Sequence, residues 1–481
     1  MSAAQGGTGS AKIVQNRKNR LKNRAEFIRK AEIAAPIEEV FAWHARPGAI
    51  SRLSPPWDPL RLISVTNGIH PGSRVAMELR AGPIPFIWEA LHTRYEKNVF
   101  FEDIQVRGPF SSWTHVHSFE KSDLGNTILE DRISYTLPFH PVGASLLNGF
   151  VQKKLARIFA FRHFTTNADI LFHRLLAMKT PSRFLLSGAS GMIGSNLIPF
   201  LTTAGHKVSC LVRRKPEPEK NEIFWDPISG KIDADKLEGF DAVIHLCGEN
   251  IGQGRWTREK KNRIISSRTL TTGLLAQTLA GLKNPPEVFI SASAIGFYGD
   301  RGDKILTEED GFGNDFISDV CRQWEASATS AINAGIRTVF PRIGVVLHPS
   351  GGALKKMLPL FSKGLGGKIG NGRQHMSWVS MDDVVCAIMH MASTPEISGP
   401  VNLVSPEPAT NAVFSRTLSE ALRRCRGPAV PGSIIIALFG EMGKETVLSS
   451  SRVMPSILLK TGYKFRHPEL RQAVCHVLGK E

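Results

Sequence analysis

The chain has 481 residues, 42% of them hydrophobic and 21% charged, with a net charge of +17. That composition suits two or three domains with buried cores and excludes a chain too polar to fold. It also excludes a membrane span, since the longest apolar run, SIIIALF (433–439), is far too short to cross a bilayer.

Residues 1–24 hold six Lys and Arg and no acid. They lack hydrophobic periodicity and carry no secretory apolar core, so a disordered basic tail is expected. Weak binding to an acidic surface and an organelle transit peptide are the other readings of this arm, although it is not amphipathic. Beyond it three regions separate: 25–178, 182–425 and 426–481. MKTPSR (178–183) links the first two, with Pro181 disfavouring helix at the residue before it. RGPAVPGS (426–433) is a Pro/Gly break that opens a short helical tail region.

In the first region FIRKAEIAA reads as a strand. PIEEVFAWHA (36–45) has proline at a helix start, acids in the first turn and apolar residues at helical spacing. Strand-like runs follow at 60–66, 73–80, 86–96, 98–107, 113–121 and 126–136, and a long apolar-periodic helix covers 144–177. This order suggests a curved antiparallel sheet gripping a helix around an apolar cavity. The stretches APIEEVFAWHARPGAISRLSPPW, DIQVRGPFSSWTHVHSFE and DRISYTLPF resemble the START/Bet v 1-like superfamily. The resemblance implies an α+β helix-grip domain that binds a hydrophobic ligand, and it implies no chemistry. His115 and His117 share one face of a strand, which we read as a polar or satisfied face rather than a ligand pair.

RFLLSGASGMIGSNLIPFLTTAGHKVSCLVRR (183–214) is an apolar strand, a glycine turn, a helix and a second strand. In Gly188-Ala-Ser190-Gly191-Met192-Ile193-Gly194 the first glycine permits the tight turn. The second lets backbone approach a pyrophosphate, and the third lets helix and strand pack closely. The free N–H groups of the helix start then face an anion. The spacing G-x-x-G-x-x-G is typical of extended and atypical short-chain dehydrogenases. An NAD site places a carboxylate at the end of the second strand. This chain has Arg213 and Arg214 there, which favour a 2′-phosphate, so NADP is expected.

FDAVIHLCGENIG (240–252) is a buried strand and a glycine turn, with Leu246, Cys247 and Gly248 expected beneath the cofactor. A basic helix follows at 255–280. Its cluster of Arg255, Arg258, Lys260, Lys261, Arg263 and Arg268 has one interleaved aromatic, Trp256, which argues against a nucleic-acid face. With GENI, SSRTLTTGLL, SASAIGFYGD, RQWEASA, PRIGVVL, GNGRQHMSWVSMDD and GPVNLVSPEPATNAVF, residues 183–481 resemble the NADP-binding atypical short-chain dehydrogenase/epimerase-like family. That resemblance implies a Rossmann domain, a doubly wound parallel sheet with a small C-terminal helical domain, over 182–425 and 426–481. It implies NADP contacts from Arg213, Leu246, Cys247, Arg268 and Val346, with Arg268 reaching the pyrophosphate or ribose phosphate.

The catalytic pattern is incomplete. A short-chain dehydrogenase uses a tyrosine and a lysine four residues on for proton transfer, beside a polarising serine. The four tyrosines, Tyr95, Tyr135, Tyr298 and Tyr463, are followed at that spacing by Val99, Phe139, Gly302 and His467. Aligned on Glu325, Ile317 takes the tyrosine position and Cys321 the lysine position. Ser293 aligns with the polarising serine, and Tyr298 is the nearby candidate acid, ahead of Glu249 and His375. The six cysteines (210, 247, 321, 386, 425, 475) contain no Cys-x-x-Cys pair. They fit a reducing cytoplasm, and no metal is expected.

The leading expectation is a cytoplasmic NADP(H)-dependent oxidoreductase or epimerase-like protein acting on an apolar small molecule delivered or sensed by the first domain. A catalytically silent NADP(H)-binding sensor coupled to hydrophobic-ligand binding stands beside it. A nucleic-acid binder is the third reading.

Overall fold

The computed structural model describes residues 24–82, 84–138, 144–176 and 181–480. Contacts divide the chain into two units at Arg174/Leu175. Except for Arg24, the expected basic arm lies outside the described residues, as does most of the 178–183 joint.

The first unit opens with β1 (Ala25–Ile33), α1 (Ile37–Ala45) and a single turn, α2 (Ala49–Arg52). Pro36 caps α1, Glu38 and Glu39 occupy its first turn, and Val40, Phe41 and Trp43 are buried. Six strands follow: β2 (Arg61–Val65), β3 (Arg74–Ala81), β4 (Ile84–Glu96), β5 (Phe100–Arg107), β6 (Ser112–Lys121) and β7 (Thr127–Thr136). They form an antiparallel sheet in the order β1-β7-β6-β5-β4-β3-β2. The 32-residue α3 (Ala144–Leu175) packs on it, putting Leu155 and Phe159 against Phe27, Ile133 and Tyr135. Along β7 every second residue is buried, which is the signature of one covered face. Asp131 occupies a buried position in that row. Asp169 of α3 takes a two-pronged ion pair from Arg52, 2.8 Å at each prong, both side chains buried. His115 and His117 share a face as expected. It is the buried one.

The second unit is built on β8 (Arg183–Ser187), β9 (Lys207–Val212), β10 (Glu222–Asp226), β11 (Lys231–Ile232), β12 (Ala242–His245), β13 (Val288–Ser291), β14 (Ser293–Ala294), β15 (Arg337–Ile343) and β16 (Gly399–Leu403). The sheet order is β11-β10-β9-β8-β12-β13-β15-β14, with β16 also paired to β15. Only the β10–β11 pair is antiparallel. β12 and β13 are buried along their whole length, as strands covered on both faces must be. The chain runs outward from β8 through β9 and β10, then returns to the other side of β8 as β12. That reversal puts a crevice at the carboxyl ends of β8 and β12, where doubly wound sheets bind ligands.

Helices α4 (Met192–Thr203), α5 (Arg258–Ala280) and α6 (Phe316–Ala326) flank the sheet's connections. The expected boundary at 425/426 is not a break in packing. Leu470, Ala473, Val474 and Val477 share a core with Leu347, Leu354, Phe361 and Trp378, and Arg452–Val453 pairs with Ile305–Leu306.

Candidate functional site

The crevice is closed at its base by glycine. Gly188 follows β8 with φ +77°, and a Cβ there would stand 2.9 Å from the Leu246 carbonyl carbon and oxygen, just past the end of β12. At Gly194, on the first turn of α4, a Cβ would stand 2.4 Å from the Gly188 carbonyl oxygen. Any side chain at either place would push the two strand ends or the helix apart. Gly191 caps α4 with no side-chain hydrogen bond to the helix. The first-turn N–H groups of Met192, Ile193 and Gly194 therefore have no intrahelical acceptor, as at any helix start. They sit with the positive end of the helix dipole, which suits a pyrophosphate. Ser190 is exposed on the same turn.

The two arginines after β9 differ. Arg214 is tied down, 2.6 Å from Glu222 and 3.0 Å from Glu217. Arg213 is exposed and makes no ion pair among the described residues. Of the two, Arg213 is the cation available to a 2′-phosphate.

Beneath the cradle, Ser187 and His245 lie opposite one another on β8 and β12, with Ser187 Oγ 2.6 Å from His245 Nδ1. Burial pushes the His245 imidazole down to about 3, so it stays neutral and acts as a strut. Burial pushes the neighbouring Cys247 thiol up, offset in part by Ser187 and the charge of Arg213. Gly248 admits the Arg268 guanidinium: a Cβ would stand 3.2 Å from its central carbon. Arg268 donates to the carbonyls of Ile264 and Glu249 at 3.0 and 3.1 Å and stacks over Trp324 at 4.9 Å. It thereby braces the loop that carries Leu246–Gly248 from below. Val346 is buried, and its carbonyl lies 3.5 Å from where a Gly352 Cβ would be. Gly351 in turn packs against Met192 at the mouth of the cradle.

The chemical end is organised differently. Ser293 is 2% exposed and donates to Glu325 Oε1 at 2.7 Å. Arg342 clamps the same carboxylate with two bonds of 2.9 Å. Its remaining nitrogen donates to the Tyr298 hydroxyl at 3.0 Å, and that hydroxyl donates to Asn402 Oδ1 at 2.7 Å. Tyr298 is fully buried, and burial raises its pKa. The reading of Tyr298 as a candidate acid is therefore corrected: its phenol is spent inside the core, where no substrate reaches it in this conformation. Ser293 is likewise a donor within the network. Ile317 and Cys321, at the expected tyrosine and lysine positions, are both buried, and burial pushes the Cys321 thiol up to about 12. Glu249 is held by Lys260 at 2.6 Å. The residues that sequence reasoning passed over are Glu325, used only to set the frame, and Arg342 and Asn402. The available signal was one arginine inside the apolar stretch VFPRIGVV.

The basic helix is largely engaged within its own unit. Arg255 donates to the carbonyls of Ala437 and Leu438, Lys260 pairs with Glu249, and Lys261 pairs with Glu441 while lying over Phe316. A polar cleft of about 400 Å³ is lined by Gly302, Asp303, Asn371, Arg373, Gln374 and Ser450 among others. No helix among the described residues is long and apolar enough to cross a membrane.

Residues 184–404 match the model of the NAD dependent epimerase/dehydratase family, and residues 430–477 match a domain of unknown function. An epimerase family protein of Mycobacterium tuberculosis is 40% identical over 289 residues, 60% of this chain and 95% of that protein. The human epimerase family protein SDR39U1 is 35% identical over 300 residues, 62% of this chain and all of that one. Among solved structures, a nucleoside-diphosphate sugar epimerase from Corynebacterium glutamicum is similar with a TM-score of 0.77 and 32% identity, covering 94% of this chain and 90% of its own. Human SDR39U1 (isoform 2), solved with NADPH, has a TM-score of 0.56 and 32% identity, covering 62% of this chain and 99% of its own.

Proposed function

The chain belongs to the epimerase family, and on that premise we propose that its second unit binds NADP(H) and serves an oxidoreductase or epimerase-like reaction on a small molecule. One observation carries the reading: a glycine turn with no room for a side chain, beside an uncapped helix start and the unpaired Arg213. The backbone N–H groups of Met192, Ile193 and Gly194 hold the pyrophosphate, with Ser190 and Gly191 on the same turn. Arg213 meets the 2′-phosphate, which favours NADP over NAD. Leu246, Cys247 and Gly248 floor the pocket, braced by Arg268, and Val346 lines its far wall. Human SDR39U1 (isoform 2), similar over 62% of this chain, was solved with NADPH. When bound, the cofactor supplies or accepts a hydride. Ser293 and Tyr298 are held in the buried network with Glu325 and Arg342 and move no proton. The proton comes from the substrate or from water.

The antiparallel sheet and long helix of the first unit support a START/Bet v 1-like ligand-binding domain, where an apolar ligand belongs. The absence of disulfides among the described cysteines supports a cytoplasmic location. The closed Ser293–Glu325–Arg342–Tyr298 network favours a second reading, a catalytically silent NADP(H) sensor. Calorimetric titration with NADPH tests the binding, and absence of binding overturns both readings. NADPH oxidation across a panel of carbonyl compounds separates them: turnover supports the enzyme, and tight binding without turnover supports the sensor.

A further inference from the structure

The first unit contains a cluster of buried imidazoles and carboxylates that the cofactor site does not use. Strand register assembles it. His92 on β4 faces Asp103 on β5, Asp103 faces His115 on β6, and His117 faces Asp131 on β7. Directly opposed residues share a face of the sheet. It is the face that α3 covers, since His163 of α3 lies 2.5 Å from Asp131 Oδ2.

Asp131 is the hub. Its Oδ1 lies 2.9 Å from His115 Nε2 and 2.7 Å from His117 Nδ1. A carboxylate accepts and does not donate, so His115 Nε2, which is hydrogen-bonded to Asp131, carries the proton. In a neutral imidazole the other nitrogen then bears a lone pair. For His115 that nitrogen, Nδ1, points at a second carboxylate, Oδ2 of Asp103, 3.6 Å away. Two acceptors facing each other across a buried gap repel, and a cation between them turns the repulsion into attraction. One ligand atom from each of Asp103, His115 and His117 falls within 4.8 Å of the others. Ligands bound at about 2.1 Å to one ion stand roughly 3 to 4 Å apart. A carboxylate behind a ligating histidine, fixing its tautomer, is the usual outer support of such a site.

We propose that Asp103, His115 and His117 bind a divalent first-row transition ion, with Asp131 orienting the His115 imidazole and lying beside that of His117. Two imidazoles and one carboxylate suit Zn²⁺, Fe²⁺, Co²⁺ or Ni²⁺ and leave coordination positions open for an exogenous ligand. The expectation of no metal rested on cysteine spacing and on reading His115 and His117 as a satisfied face; neither could show Asp103 and Asp131 beside them.

The full chain, stripped with chelator and dialysed, is titrated with Co²⁺ by calorimetry and visible absorption, and with Zn²⁺ in a second series. One ion per chain is expected. Asp103→Asn combined with His117→Gln should abolish saturable uptake. Asp131→Asn should weaken it about 10- to 100-fold. His476→Gln, in the separate Asp382/His467/His476 group of the second unit, should leave the stoichiometry at one. No saturable uptake by the wild type, or uptake that survives the double substitution, overturns the proposal. Uptake lost in His476→Gln assigns the ion to the other group and also overturns it. If the double variant does not fold, proton NMR of the Co²⁺-loaded wild type decides. Hyperfine-shifted exchangeable signals from two imidazole N–H groups support the site, and their absence refutes it.

Discussion

The two ends of the second unit's crevice treat their polar groups in opposite ways. At the cradle, the first-turn N–H groups of the helix have no intrahelical acceptor, and Arg213 makes no ion pair among the described residues. At the chemical end, Ser293, Glu325, Arg342, Tyr298 and Asn402 satisfy one another. Unpaired groups beside a crevice are poised for a ligand, whereas a buried network that closes on itself serves the fold. The cradle thus presents the open groups that a nucleotide would need, while the Ser293 network is closed on itself.

Breaking the closed end should damage stability most. Arg342→Met strands the Glu325 carboxylate in the interior and should destabilise the unit by about 3–5 kcal/mol, read by urea unfolding. NADPH affinity of the folded fraction should stay within about threefold, because the network does not face the cofactor. Breaking the open end should do the reverse. Gly194→Val drives side-chain atoms into the Gly188 carbonyl and should weaken NADPH binding at least about 100-fold, or roughly 2.7 kcal/mol, in a calorimetric titration.

Acid should act from beneath the cradle. The folded value of His245, about 3, lies below its ordinary value near 6.5. The stability it contributes is thus complete above about pH 6.5 and is lost as pH falls toward 3. The loss is about 1.4 kcal/mol per pH unit, near 2 kcal/mol by pH 5. His245→Gln should flatten that slope in unfolding curves taken between pH 7 and 5. Buried His44, lowered by burial to about 4, should give the first unit a slope of the same sign. Tyr298→Phe should have the smallest effect. It removes the bonds to Asn402 and Arg342 and should lower stability by about 1–2 kcal/mol. Any NADPH oxidation should persist, whereas a catalytic phenol would take the activity with it.

The same contrast governs what the sequence could reveal. The cradle is local: seven consecutive residues between a strand and a helix contain nearly all of it, so its glycines and Arg213 were legible before any coordinates. The antiparallel sheet was legible too, because alternation sets each strand and the loops are short. The runs expected at 86–96 and 126–136 match β4 and β7 closely. The closed network was not legible, since its members lie between positions 293 and 402 and meet only when β14, α6, β15 and β16 are assembled. The histidine–aspartate cluster failed for the same reason. His115 and His117 showed their shared face, but only register places Asp103 and Asp131 beside them. Period-2 alternation says which residues share a face and not which face is buried. Tyr298 misled because Tyr-Gly after β14 looks the same whether the phenol opens to the cofactor or turns into the core.

The open cradle and Arg213 point to an NADP(H) site that selects for the 2′-phosphate. Parallel calorimetric titrations of wild type and Arg213→Ser with NADPH and NADH test it most directly. Wild type should prefer NADPH, the variant should bind NADPH about 10- to 30-fold more weakly, and NADH affinity should be unchanged. Equal wild-type affinity for the two cofactors, or an Arg213→Ser variant that loses nothing for NADPH, would contradict it.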